Sequence, residues 1–352
     1  MRTIRRTALG TTAALAASAL VLSACSGSGA ADGGAEVDTG GAPGEGFPVT
    51  VEHAFGETTV EAQPERVATI AWGNHEAALA LGVVPVIMEA AVWGDDDGDG
   101  VLPWVEEKVE EMGAEMPETF DPTDGIDFEA VAASEPDVIL AGYSGLTQEE
   151  YDTLSQIAPV IAYPETPWGS TWQETLAQDA KGLGLEARGE EVVAELEGVL
   201  ADKVAEHENL AGTSAMWAYV EPTDTSTFSY FTVNDPRVQL FPELGMEIPE
   251  AVTRASEGNE QFNGSESTET AAETFADADV MVVSTDSDQQ KIMQEDPLMS
   301  KIPAVERDSI AWLPADAPEA AVSNPSPLNI GSEYMDGYLA TLDAAAAKAK
   351  QD

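Results

Sequence analysis

The sequence predicts an α/β protein of two lobes, each with a mainly parallel sheet and flanking helices, joined by one long helix. Three observations predict it. Short β-rich runs alternate with helical patterns along the chain, the order that parallel α/β layers require. Between Ser170 and His207 apolar residues keep helical spacing for an unusually long way. The 352 residues are 43% hydrophobic with 7 Trp, enough for two packed cores after the N-terminal segment is set aside.

That segment comes first. Arg2, Arg5 and Arg6 form a positive region, Ala8 to Val21 an apolar run, and Leu22-Ser23-Ala24-Cys25 a small-residue cleavage site ending in cysteine. Residues 1–24 therefore read as an export signal. The sequence LSAC resembles a bacterial lipobox, which implies that Cys25 is lipidated and becomes the first mature residue. The mature chain is then expected outside the cytoplasm, anchored to the outer face of the cytoplasmic membrane and acting as a monomer. A single cysteine also leaves no disulfide framework to expect. Residues 25–46 are rich in Gly, Ala, Ser and acidic side chains and read as a flexible tether.

The N-terminal lobe is expected over residues 47–169. Arg66 to Ala71, Val84 to Met88, Pro136 to Ala141 and Val160 to Tyr163 are its strands; Glu76 to Leu81, Asp127 to Ser134 and Glu149 to Ile157 are its helices. A helical segment, 170–209, follows. In it Trp172, Leu176 and Ala180 mark a first helix closed by Gly182 and Gly184, and Val192, Leu196, Val199 and Leu200 mark a second, Glu186 to His207, long enough to bridge two lobes. The C-terminal lobe, 210–352, alternates Ala215 to Val220, Val238 to Leu244, Asp279 to Ser284 and Ser309 to Leu313, and ends in a helix from Glu333 to Lys350.

A formal net charge of -50 makes nucleic acid an implausible partner. One acidic stretch is more specific. Asp95, Asp97, Asp99, Gly100 and Glu106 satisfy D-x-[DN]-x-[DN]-G-x5-E, in which alternate carboxylates converge on a calcium ion and the final glutamate closes the shell. The helix that should precede such a loop is missing, so a plain polar loop remains the competing reading.

The order and spacing of five segments carry a family resemblance: PERVATIAWGNHEAALALGVVPV from Pro64, IDFEAVAASEPDVILAGY from Ile126, LSQIAPVIAY from Leu154, FPELGM from Phe241 and DPLMSKIPAVERDSIAWL from Asp296. The chain resembles the ferric-hydroxamate, siderophore-binding type of periplasmic binding protein, whose lobes are joined by a rigid helix and close on a ligand cleft. The resemblance implies capture of a ferric siderophore for an ABC importer, with iron present only as part of the ligand and no cofactor required. It places Tyr143 at the iron centre, and Glu76 and Glu269 (or Glu266) as exposed carboxylates that dock on the importer's permease. Further aromatic candidates for the cleft are Trp72, Trp93, Trp104, Trp168, Tyr219, Tyr230, Phe231 and Trp312, of which a minority should line the pocket.

The departures from the family pattern bear on the ligand. No arginine stands in Asp121 to Gly125 and no tryptophan near Phe262 to Ser265, leaving Arg237 and Arg254 as the cations near candidate cleft loops. A triply anionic catecholate would want several cations, so a neutral or cationic hydroxamate chelate, such as a ferrioxamine, is expected. Haem or a corrinoid on the same fold is the alternative. A secreted enzyme is remote: Leu146 breaks the nucleophile elbow that Gly142 to Gly145 begins, and His53, His75 and His207 are scattered.

Overall fold

The computed structural model describes residues 46–219, 224–285, 287–315 and 317–351. The export signal, most of the tether and Cys25 lie outside the described residues. The chain enters through a hairpin, β1 (Val49–His53) and β2 (Gly56–Val60), whose Val51 and Val60 pack on the first lobe. The first lobe's sheet is wholly parallel. Its strands are β3 (Val67–Thr69), β4 (Ile87–Glu89), β5 (Glu118–Phe120), β6 (Val138–Ala141) and β7 (Val160–Ala162), in the order β5-β4-β3-β6-β7. Apolar runs such as Val138-Ile-Leu-Ala141 are buried along their whole length, as parallel strands covered on both faces must be.

The second sheet is mixed. Its strands are β8 (Ala215–Tyr219), β9 (Thr227–Phe231), β10 (Asn263–Ser267), β11 (Val280–Thr285) and β12 (Ile310–Pro314), in the order β10-β9-β8-β11-β12, with β9 antiparallel to both neighbours. The sequence reading had not recognised β9 and β10. Side chains alternate strictly between the sheet's faces. Met216, Ala218, Phe228, Tyr230, Met281, Val283, Ile310 and Trp312 join one core layer; Trp217, Tyr219, Phe231, Val280, Val282, Ala311 and Leu313 join the other. This second layer also takes in Tyr338 and Leu342 of the C-terminal helix Glu333–Ala349 and runs on into Trp72, Trp93 and Trp104 of the first lobe and Trp172 of the connecting segment. Full burial of side chains as large as Trp217, Phe241 or Tyr338 is worth about 2–3 kcal/mol each in transfer free energy.

Between the sheets lie the helices Trp172–Gly182 and Glu186–Val204. Thr171 starts the first with a reciprocal capping box to Glu174. Gly189 lets the two helices approach closely, because a Cβ there would stand 2.7 Å from Ala180 Cβ. The bridging helix ends at Val204, not at the expected His207, and its 19 residues span about 28 Å.

Candidate ligand cleft

The cleft is built where chain leaves the carboxyl ends of β3 and β6, the position at which parallel sheets bind ligands. The turns that follow these two paired strands bring Trp72 and Tyr143 there, and one buried side chain ties them together. Asn74 donates through Nδ2 to the Ile70 carbonyl at 2.6 Å and the Tyr143 carbonyl at 2.8 Å, while its Oδ1 accepts the Tyr143 N–H at 3.0 Å. Trp168 stands edge-on to Tyr143 with ring centroids 5.2 Å apart, and does so with φ of 58°, a conformation that favours glycine. Gly145 makes room for it, since a Cβ there would lie 2.0 Å from Trp168 Nε1. Trp93 packs on Trp72 at 5.6 Å.

The second lobe reaches across at several points. Trp93 Nε1 donates to the Ala315 carbonyl at 2.6 Å, Asn324 Nδ2 to the Tyr143 hydroxyl at 3.4 Å, and Gln173 Nε2 to Glu243 at 3.0 Å. A strap, Asn324-Pro-Ser-Pro327, lies over Trp72, Tyr143, Ser170 and Trp172, and the cavity they enclose measures about 10 Å³. A second cavity of about 310 Å³ shares Ser170 with it and extends past Glu165 and Glu174 to Asn234 and Gln239. The first holds no more than about one water, and the second is at the lower edge of ligand-pocket sizes, roughly 300 Å³.

Among the described residues, Arg237 is the cation whose charge acts on Tyr143. It is held by Asp235, through Nε at 2.8 Å and Nη2 at 2.6 Å, and its guanidinium lies 3.8 Å from the Phe231 ring centroid. Asp235 also caps the helix Pro236–Glu243 by accepting the Arg237 N–H. Burial, with the Asp235 charge added, pushes the Tyr143 hydroxyl up to about 12, so it stays a neutral donor and acceptor.

The geometry takes several expected site residues away from the cleft or its rim. Glu76 is not an exposed docking carboxylate: it is completely buried on the helix Asn74–Ala80, where it accepts a hydrogen bond from the Ser326 hydroxyl and faces the Trp104 indole N–H. Arg254 is exposed on the helix Glu250–Ser256 beside Glu250, whose buried side packs on the layer opposite the cleft. Tyr230 and Trp312 belong to that same opposite layer, placed there by strand alternation. Trp104 is buried against Tyr334 behind the cleft wall, and Tyr219 stacks on Phe231. Glu269 is exposed in the first turn of the helix Thr268–Thr274, and Glu266 is half-buried, accepting from Thr270 Oγ1 at 2.5 Å.

At the cleft's edge, carboxylate oxygens of Asp95, Asp97 and Asp99 lie within 4.8 Å of one another. Asp95 accepts the N–H groups of Gly98 at 2.8 Å and Gly100 at 2.7 Å; these outweigh its partial burial and hold its carboxyl below the usual range. Glu106 faces the loop from the helix Pro103–Glu111, where partial burial and the charges of Asp99, Asp97 and Asp96 push its carboxyl up. No helix precedes the loop.

A family model described as periplasmic binding protein matches residues 67–317, most of the chain and both sheets. The chain belongs to the periplasmic binding protein family. Among solved structures, this binding protein is similar to PiaA of Streptococcus pneumoniae TIGR4 in complex with ferrichrome, with a TM-score of 0.81 and 40% identity over 85% of this chain and 99% of that one. Among curated proteins it is similar to the probable siderophore-binding lipoprotein YfiY of Bacillus subtilis (27% identical, 57% of this chain, 58% of that one). It is also similar to the Fe(3+) dicitrate-binding periplasmic protein FecB of Escherichia coli (24% identical, 60% of this chain, 65% of that one). The match thus spans about three fifths of the length of these curated relatives.

Two parts of the binding protein's cleft escaped the sequence reading. Asp235 had a signature, Asn234-Asp235-Pro236, that reads as a helix start. The strap had one in its paired prolines, which mark a rigid turn but say nothing of where it docks.

Proposed function

We propose that the protein captures a ferric siderophore of the neutral or cationic hydroxamate class and delivers it to the permease of an ABC importer, held at the membrane through lipidated Cys25. The observation that carries this reading is the cleft beside Tyr143. Its walls are aromatic, and the cation that acts on Tyr143, Arg237, is already matched by Asp235. An uncharged tris-hydroxamate chelate fits such a lining, whereas a triply anionic chelate would meet a paired arginine inside a protein of net charge -50. The ferrichrome complex of PiaA supports the same class.

Tryptophan-quenching titrations with ferrichrome, ferrioxamine B, a ferric tris-catecholate, haem and cobalamin test it. The two hydroxamates should bind at least tenfold more tightly than the other three; tightest binding by the catecholate, haem or cobalamin overturns the ligand class. With Glu76 buried, Glu269, or Glu266 beside it, remains the candidate for a permease contact, and charge reversal at Glu269 should slow transport without changing ligand affinity. The Asp95–Glu106 loop, with its converging oxygens, is read as a calcium loop that braces the cleft's edge.

A further inference from the structure

Glu76 is left without a role by the loss of its docking function, and its surroundings supply another. It sits at the interface between lobes, under the strap. Its carboxyl takes the Ser326 hydroxyl, and Ser326 Oγ in turn accepts the Asn329 N–H at 3.1 Å. Asn329 Oδ1 accepts the Ser326 N–H at 2.9 Å, and its Nδ2 donates to the Asn324 carbonyl at 2.9 Å, so the strap is an internally bonded unit resting on one acid. Ser326 and Glu76 are 250 positions apart, and Glu76 belongs to the first lobe while the strap belongs to the second. The cavity beneath the strap, about 10 Å³, is far too small for a chelate, so the strap must lift if a chelate is to reach the buried Tyr143.

We propose that Glu76 is the latch of the cleft: its protonated carboxyl, seated on Ser326, holds the strap down, and its ionisation lets the strap lift. The physical cause is desolvation. A charged carboxylate sealed between the lobes is costly, whereas one that water can reach is not. Burial pushes the Glu76 carboxyl up to about 8, against the bond from Ser326 and the nearby Trp104 indole, which pull the other way.

Among the described residues, no neighbour that acts on Glu76 offers a compensating charge. His75 on the same helix is buried and lowered to about 4, hence neutral; Trp104 contributes an indole N–H; Tyr143 is pushed up to about 12; the carboxyl of Asp179, on the adjacent helix Trp172–Gly182, is itself pushed well up by burial. Ser326 and Asn329 on the strap are uncharged. A group whose pKa is raised in the closed form favours that form most at low pH. The preference is complete below about 4.5, the ordinary value, and is lost as pH rises towards about 8. In that window each opening releases one proton, so the open fraction should grow about tenfold per pH unit.

Asp179 and Glu89 also hold raised carboxyls, so pH dependence alone does not assign the effect to Glu76. The Glu76→Gln variant does, because a neutral amide keeps the seat on Ser326 and cannot ionise. Amide hydrogen exchange of Ser326 and Asn329 in the whole protein, corrected for intrinsic rates, is followed from pH 5.5 to 8.5. In the wild type, protection should fall about tenfold per unit up to about pH 8, while Glu76→Gln stays level. An equal slope in both proteins, or a level wild type, overturns the latch. If Glu76→Gln does not fold, Ser326→Ala replaces it: the strap should then exchange freely already at pH 5.5, and wild-type protection there overturns the idea.

The link to capture rests on the siderophore reading and is measured separately, as the association rate of ferrichrome. That rate should climb with pH in the wild type and stay flat in Glu76→Gln. A protein that passes the exchange test but does not bind ferrichrome keeps its latch and loses its proposed ligand.

Discussion

Arg237 shows how one residue's setting narrows a ligand class. Its guanidinium is clamped by Asp235 on one side and covered by Phe231 on the other, with Asp235 almost wholly buried. Removing the arginine leaves a buried carboxylate without its partner, which costs about 3 kcal/mol or more. Arg237→Met should therefore lower the urea midpoint by that equivalent while hydroxamate binding, if the charge is not used for anion capture, weakens only slightly. Loss of stability below about 1 kcal/mol would show that the pair is more solvated than its geometry indicates. Asp179 is a contrasting case. It is fully buried against Gly142 with its carboxyl pushed well up by burial, so its contribution to stability is present below about pH 3.8 and is lost as pH rises. Asp179→Asn should flatten the decline in unfolding free energy between acid and neutral pH; an unchanged slope removes Asp179 from the account.

At the scale of elements, Gly145 and Trp168 are the informative pair. An alanine at 145 drives its Cβ into the indole, and Trp168 must leave its edge-on contact with Tyr143. Gly145→Ala should weaken ferrichrome binding about tenfold or more, consistent with about 1.4 kcal/mol from one displaced aromatic wall, with little change in circular dichroism. Normal affinity would place Trp168 outside the binding wall. Much of this level was legible in the sequence. Apolar runs such as Val138 to Ala141 and the helical spacing after Glu186 located β6 and the bridging helix. What was not legible had physical reasons. β10, Asn263-Gly-Ser-Glu-Ser267, is an edge strand without one apolar residue, so no period-2 signal exists. The helix Asn74–Ala80 is buried almost all round, so three polar residues at its start, Asn, His and Glu, carry no sequence sign of their burial. The partner that buries Glu76, Ser326, is distant in sequence, and local pattern carries no trace of it.

At the scale of the whole molecule, the Asp95–Glu106 loop and the net charge give separate tests. Calcium at millimolar level should raise the melting temperature of the wild type and leave Glu106→Gln unmoved; equal responses would return the Asp95–Glu106 loop to an ordinary acidic turn. With a formal charge of -50, moderate salt should also stabilise the fold by screening self-repulsion, an effect already large within the first 0.1 M or so, where the Debye length falls to about 10 Å. The bridging helix sets the mechanical character of the assembly. A hydrogen-bonded rod has no slack to take up, so the two halves behave like the jaws of a calliper. Under the proposed capture, the bulk of the cargo would be registered as a small gap between rims, and a permease that distinguishes loaded from unloaded carriers would have to sense that gap.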